Sequence, residues 1–216
     1  MKKAFNLTVF LILVSVFAGC IEIVEEITFN KDGSGKVIYS FDMTHFYDYD
    51  TKISEEERKQ KYDKALRNLD ENNKELMDTL SMIEGIFNVK DKTDYKVFKP
   101  IIFFEFENVD ALNRGLREMD IKLDEKQSVY EFDGKTLNRI DHLYKEKKNN
   151  SGVDEDEREA FKNYTYTTII HLPSKVKSCD NDSAIVSKNK RTITNKVSLL
   201  DIMEGKTTLE LNVTLK

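Results

Sequence analysis

Apolar and polar positions alternate with a period of two near both ends of the chain, and recur with a period near 3.6 in two stretches between them. Ile21, Ile23, Ile27 and Phe29 alternate with Glu22, Glu26 and Thr28, which predicts a strand with one dry face whose register is interrupted at Val24-Glu25. Asp32-Gly33-Ser34-Gly35 supplies turn chemistry, and Val37, Tyr39, Phe41 and Met43 then alternate with Lys36, Ser40 and Asp42. The pair reads as an antiparallel hairpin. Asn30, Asp32 and Ser34 also have the spacing of a calcium loop. Thr28, however, stands where such a loop needs its first carboxylate and Tyr39 where it needs its last Glu, so the turn reading is preferred.

Ser54 and Glu57 form a capping box, with Glu55 and Glu56 where a helix dipole favours negative charge. Tyr62, Leu66, Leu69, Leu76, Leu80 and Ile83 then recur at three, four and seven, an apolar stripe along roughly 45 Å of helix at about 1.5 Å per residue. Asn72-Asn73 interrupts the stripe and predicts a break or kink, and Gly85 ends it. The polar face mixes Glu, Asp and Lys, so packing on a sheet is favoured over lying on a membrane.

Ile101 to Glu107 reads as a strand. Asn108 or Asp110 caps a short helix in which Val109, Leu112, Leu116 and Met119 share a face. Gly115 lies inside that helix, where it costs about 1 kcal/mol against Ala and allows close approach to a sheet. Ser128 to Phe132 and Lys135 to Ile140 flank Asp133-Gly134 as a second hairpin. Tyr144 to Glu159 is a polar stretch with a basic block beside an acidic one, read as a solvated segment whose acidic end starts a short helix through Phe161.

Tyr164 to Leu172 is a β-branched and aromatic strand ended by Pro173, and Ser183 to Val186 with Arg191 to Thr194 flank the turn Lys188-Asn189-Lys190. Leu209, Leu211, Val213 and Leu215 alternate with polar residues in a closing strand. Hairpins with a few helices, without regular βαβ alternation, predict an α+β fold: a mostly antiparallel sheet with one long amphipathic helix and one or two short ones packed on it. Two prolines, no low-complexity linker and no fixed-period repeat predict a single domain over residues 20–216.

The start of the chain has a different grammar. Lys2 and Lys3 precede an apolar run from Leu7 to Ala18 broken only by Thr8 and Ser15, the n-region and h-region of a secretory signal. Those twelve residues are too few to span a bilayer core, which needs about 20. Phe17-Ala18-Gly19-Cys20 follows directly, with small residues before a thiol that lipid can alkylate. This motif resembles the lipobox of bacterial lipoproteins, with Phe17 where Leu is favoured. The resemblance implies cleavage between Gly19 and Cys20, removal of residues 1–19 as a lipoprotein signal peptide, and a diacylglyceryl and palmitate-type anchor on Cys20.

Charge changes what such an anchor must do. The 216 residues carry 34 Lys or Arg against 39 Asp or Glu, a net charge of −5, which becomes −7 once Lys2 and Lys3 leave with the signal. An acidic body gains no attraction to an anionic leaflet, so the lipid does the anchoring. The same balance argues against nucleic acid as a partner. Ile21, not Asp, follows Cys20, which favours the outer over the inner membrane by analogy with Gram-negative sorting.

The sequence holds no Gly-rich phosphate loop, no Gly-x-Ser-x-Gly elbow, no His-Glu-x-x-His and no Cys-x-x-Cys. His45, His142 and His171 lack ligand spacing, and His171 within a strand reads as a satisfied sheet residue. Once Cys20 carries lipid, Cys179 has no partner, and Asp180 and Asp182 would raise its pKa.

Glu25-Glu26-Ile27-Thr28-Phe29-Asn30-Lys31-Asp32-Gly33-Ser34-Gly35 after the lipobox, with Phe104-Glu105-Phe106-Glu107-Asn108-Val109-Asp110-Ala111-Leu112-Asn113, resembles small uncharacterised lipoproteins of Bacteroidetes-type bacteria. Tyr166-Thr167-Thr168-Ile169-Ile170-His171-Leu172-Pro173 with Val176 is similar, more distantly, to the sheet of the LppM-type lipoprotein domain, with Ser174 where that pattern favours Gly. The resemblance implies an envelope location and brings no catalytic residue, metal or cofactor.

Three functions follow in order of preference. The first is a non-enzymatic envelope lipoprotein that binds a protein, cell-wall component or lipid. The second is a carrier of lipid or another small apolar ligand, recognisable by a continuous apolar pocket of about 300 Å³ or more. The third is a hydrolase, which requires titratable groups clustered in a cleft.

Overall fold

The computed structural model describes residues 21–42, 54–94, 99–119, 128–142 and 155–216. Cys20, Gly19, Met43 and His45 lie outside them.

Strand β1 (Ile21–Phe29) pairs antiparallel with β2 (Gly35–Asp42), and Gly33 takes the left-handed conformation the turn requires, at φ 86°. Asp32 Oδ1 accepts the Ser34 amide at 3.1 Å and the Ser34 hydroxyl at 2.7 Å, which holds the turn. The ladder runs unbroken through Glu22↔Asp42 to Phe29↔Gly35, so the predicted interruption at Val24-Glu25 does not occur. The strand keeps its period and places Glu25 on the dry face, where it is buried.

Helix α1 (Glu55–Met82) starts at the Ser54–Glu57 capping box, and Gly85 follows its end at φ 83°. The helix runs without a break through Asn72-Asn73. The Asn73 side chain is instead buried and donates to Thr93 Oγ1 at 2.9 Å and to Asp91 Oδ2 at 3.2 Å. A polar residue in an apolar stripe is thereby satisfied across an interface. Leu80 is buried in the core, with Leu76 and Met77 half-buried against it.

Strand β3 (Ile86–Asp91), which alternation did not predict, receives that part of α1. Strand β4 (Ile101–Phe106) then leads to helix α2 (Val109–Met119), whose first turn is capped by Asn108 Oδ1 accepting the Ala111 amide at 2.9 Å. A hairpin of β5 (Tyr130–Phe132) and β6 (Thr136–Arg139) turns at Gly134, φ 86°. Helix α3 (Glu155–Phe161) precedes β7 (Tyr164–His171), β8 (Val176–Cys179), β9 (Ala184–Val186) and β10 (Thr192–Ser198). Helix α4 (Leu199–Met203) and β11 (Leu211–Leu215) complete the described chain.

The fold is α+β, with two sheets where one was expected. Seven strands run in the order β3-β4-β2-β1-β7-β10-β9, and four in the order β5-β6-β11-β8. Pairing is antiparallel among the described strands except between β1 and β7, which run parallel from Ile21↔Tyr164 to Thr28↔His171.

One core cluster joins both sheets and α2: Phe29 and Phe106 from the large sheet, Tyr130, Leu137 and Val213 from the small one, and Leu112 from the helix. Phe29 is the centre of this contact, with ring centroids 5.8 Å from Phe106, 5.9 Å from Tyr130 and 5.0 Å from Phe132. Such pairs add about 0.5–1.5 kcal/mol each beyond burial. A second, smaller cluster of Tyr166, Val197, Leu199, Ile202 and Leu209 lies toward the start of β1 and β7. The opposite face of the large sheet carries Ile38, Ile169 and Ile185, the last 71% exposed.

Candidate functional site

The register that buries Glu25 also builds the most chemically distinctive part of the molecule. Glu25 points from β1 between the two sheets, where Tyr130 of β5, Arg139 of β6 and Tyr166 of β7 converge on it. Glu25 Oε1 accepts from Tyr130 Oη at 2.5 Å and from Arg139 Nε at 3.1 Å, and Oε2 accepts from Tyr166 Oη at 3.1 Å. Arg139 Nε also lies 3.2 Å from Tyr130 Oη, and Nη1 reaches the Leu209 carbonyl at 3.5 Å. The four side chains are 0–9% exposed, which removes them from water almost completely.

Burial shapes the electrostatics. It pushes the Tyr130 and Tyr166 phenols well above their ordinary value of 10.0, and the adjacent Glu25 carboxylate pushes the same way. For Arg139 burial opposes the charge, yet Glu25 and the two phenols more than offset it and hold the guanidinium protonated. The ion pair is a neutral unit in a low-dielectric site, with its hydrogen-bonding capacity turned inward.

A small cleft opens beside the cluster, lined by Tyr39, Leu116, Met119, Asp141 and His142 as well as Glu25 and Arg139. Its volume is about 40 Å³, room for about three or four waters given roughly 10–15 Å³ for each. Asp141 Oδ2 accepts the Leu209 amide at 2.6 Å and the Thr208 hydroxyl at 2.8 Å, and His142 Nε2 lies 2.8 Å from the Ser128 carbonyl. These bonds hold the segment before β11 and the start of β5 onto the end of β6. Asn113 does the same for α2, its Oδ1 accepting the Val129 and Tyr130 amides at 2.9 and 2.8 Å while Nδ2 donates to the Tyr130 carbonyl at 2.8 Å. Titratable groups are therefore clustered, and each is engaged with the scaffold.

Sequence reasoning missed this cluster, because its members stand 105, 114 and 141 residues from Glu25. The one available signal was a Glu on the apolar face of a strand, a costly position unless a cation and hydrogen bonds await it. Of the two described histidines, His142 reaches the cleft and His171 does not. His171 lies on the outer sheet face, with Nε2 2.8 Å from Glu26 Oε1 and Nδ1 3.2 Å from Thr192 Oγ1. Cys179 is half-buried and free, its thiol pKa raised first by burial and then by Asp180. Desolvation thus leads where the neighbouring carboxylates were expected to, and Asp182 does not contribute. Among the described residues no three His, Cys, Asp or Glu gather as metal ligands, and no helix is long and apolar enough to cross a membrane.

No family model matches the chain, and no curated protein matches it. Among solved structures it is weakly similar to the NMR structure of the folded domain of Mycobacterium tuberculosis LppM, with a TM-score of 0.41 and 9% identity over 91% of this chain and 90% of that one.

Proposed function

We propose that the chain is a lipoprotein of the bacterial cell envelope, tethered through Cys20 after removal of residues 1–19, and that its domain over residues 20–216 binds a partner without catalysing a reaction. Support for the tether is Phe17-Ala18-Gly19-Cys20 at the end of a short apolar run. Support for binding over catalysis is one observation: the polar groups of the Glu25 cleft are bonded to the scaffold, around a space of about 40 Å³. That volume is also well short of the 300 Å³ or so a carrier of apolar ligands needs, and the larger hollows, about 340 Å³ beside Asn30, Ser34 and Lys36 and about 580 Å³ beside Asp180, Asp182 and Lys206, are open and lined mostly by polar residues. The outer sheet face carries Ile38, Ile169 and Ile185 in one row with Glu26 and Thr194 between them, only Ile185 being largely exposed, and an envelope protein or cell-wall component is the partner class we propose for the domain. Ile21 in place of Asp supports the outer membrane as the location.

Metabolic labelling with palmitate, followed by intact-mass analysis, tests the anchor. The expected product is labelled, begins at Cys20 and loses its label in Cys20→Ala. An unlabelled product that retains residues 1–19 overturns the reading. Affinity capture from solubilised envelopes, with mass spectrometry of proteins and lipids, tests the binding half. Enrichment of neither over Cys20→Ala counts against it.

A further inference from the structure

We propose that the end of the large sheet where β1 begins lies directly against the bilayer that holds the acyl chains of Cys20. The proposal rests on the lipidation proposed above and adds the surface that meets the membrane. Its first support is chain arithmetic. Ile21 opens β1, is only 6% exposed and pairs with Tyr164 of β7. One peptide bond puts the Cys20 Cα about 3.8 Å from it, whereas a flexible spacer of about 20 residues would allow roughly 25 Å.

Strand β1 is also an interior strand, bonded to β2 on one side and β7 on the other. Lifting its first residues away would break both ladders. The start of β1 is therefore held close to the headgroups, and the start of β7 and the ends of β2 and β10 adjoin it in the ladder as one rim. The Asp32–Ser34 turn, at the other end of a nine-residue strand, lies roughly 26 Å away at about 3.3 Å per residue.

The chemistry of this rim suits that position. A body with net charge −7 after processing is repelled by an anionic leaflet, but the rim's cations are matched locally. Lys196 lies 2.7 Å from Glu22, Lys99 lies 3.7 Å from Asp42, and Arg158 and Lys162 pair with Glu204 and Glu159. Helix α3 nevertheless leaves the rim acidic, since Glu155, Asp156, Glu157 and Glu159 outnumber Arg158 and Lys162, so the acyl chains and not charge hold it at the leaflet. Phe161 and Tyr164, half-buried and stacked edge to face at 5.3 Å, close the smaller core cluster at the same end. An amphipathic ring with one dry and one wet side suits the headgroup layer.

The test uses the acylated full chain in vesicles of phosphatidylethanolamine and phosphatidylglycerol, compared by hydrogen exchange with a variant carrying a flexible Gly/Ser insert between Cys20 and Ile21. Exchange at 161–165 and 198–203 is expected to be several-fold slower without the insert, and exchange at 30–35 to be the same in both. Equal exchange at the rim, with acylation confirmed by mass, overturns the proposal. Absence of acylation instead overturns the anchor reading beneath it. A second measurement needs no insert: spin labels at Lys162→Cys or Lys31→Cys, in a Cys179→Ser background, are exposed to a lipid with a nickel-chelating headgroup. Broadening at 162 and not at 31 is expected, and equal or reversed broadening overturns the proposal.

Discussion

Arg139 Nε lies 3.1 Å from Glu25 Oε1, with the two side chains 5% and 3% exposed, so a charge on the first strand is neutralised by one 114 residues later. The pair joins the two sheets. Removing one partner strands the other charge in a dry site, which costs about 3–5 kcal/mol, whereas replacing both with apolar groups avoids most of that penalty. Arg139→Met is therefore expected to lower stability by about that amount in urea unfolding. The double variant Glu25→Leu with Arg139→Met is expected to be more stable than Arg139→Met alone. A double variant at least as unstable as the single would show that the two side chains do not act as a pair.

The phenols above this pair give the cluster a signature in alkali. Tyr130 and Tyr166 have folded pKa values raised above 10.0, chiefly by burial, so the fold favours their neutral forms. Their contribution is fully present below pH 10 and is lost as the pH rises through the folded values. An ultraviolet difference titration of the nine tyrosines is expected to leave these two un-ionised until the chain unfolds. The urea midpoint should fall in the same window. A single reversible phase that ionises every tyrosine in the folded protein would refute the cluster's burial.

Legibility in the sequence followed the range of the interactions involved. The hairpin at Gly33, the capping box at Ser54, the Asn108 cap and the turn at Gly134 are set by residues a few positions apart, and their signals are local. Strand β3 and helix α4 were missed because their burial comes from α1 and from β7 and β10, and not from their own alternation. The parallel pairing of β1 with β7 joins residues some 143 positions apart and left no mark in either strand. Asn73 and Glu25 misled the reading for the same reason: each breaks an apolar pattern for a partner that only the tertiary fold supplies.

Two glycines of the first hairpin have opposite reasons for being glycine. A Cβ at Gly33 meets nothing within 4 Å but would sit at φ 86°, a conformation that costs an L-residue about 1–2 kcal/mol. A Cβ at Gly35 would lie 1.9 Å from the Thr28 carbonyl oxygen and 2.5 Å from Phe106 Cζ, inside the fully buried aromatic contact with Phe29. Backbone and ring would both have to move, and such overpacking costs about 3 kcal/mol. Gly35→Ala is expected to unfold at clearly lower urea than Gly33→Ala. The reverse order would mean that β2 sits farther from β1 and β4 than its register implies.

Thr168 offers the opposite kind of change, a substitution expected to stabilise. It is 0% exposed, stands opposite Glu25 on β1 and Asn195 on β10, and its Oγ1 has no hydrogen-bond partner among the described residues. An unpaired buried hydroxyl costs about 1–3 kcal/mol relative to solvent. Thr168→Val keeps the β-branched shape that suits the strand and removes the polar atom. The expected result is a higher urea midpoint with an unchanged slope, a gain of about 1 kcal/mol. A fall instead would show that the Thr168 hydroxyl is hydrogen-bonded in the folded protein, and the Glu25 carboxylate stands at the paired position on the neighbouring strand. That outcome would extend the polar cluster by one member and make the loss in Arg139→Met depend on residue 168, which a double-mutant cycle between the two positions would measure.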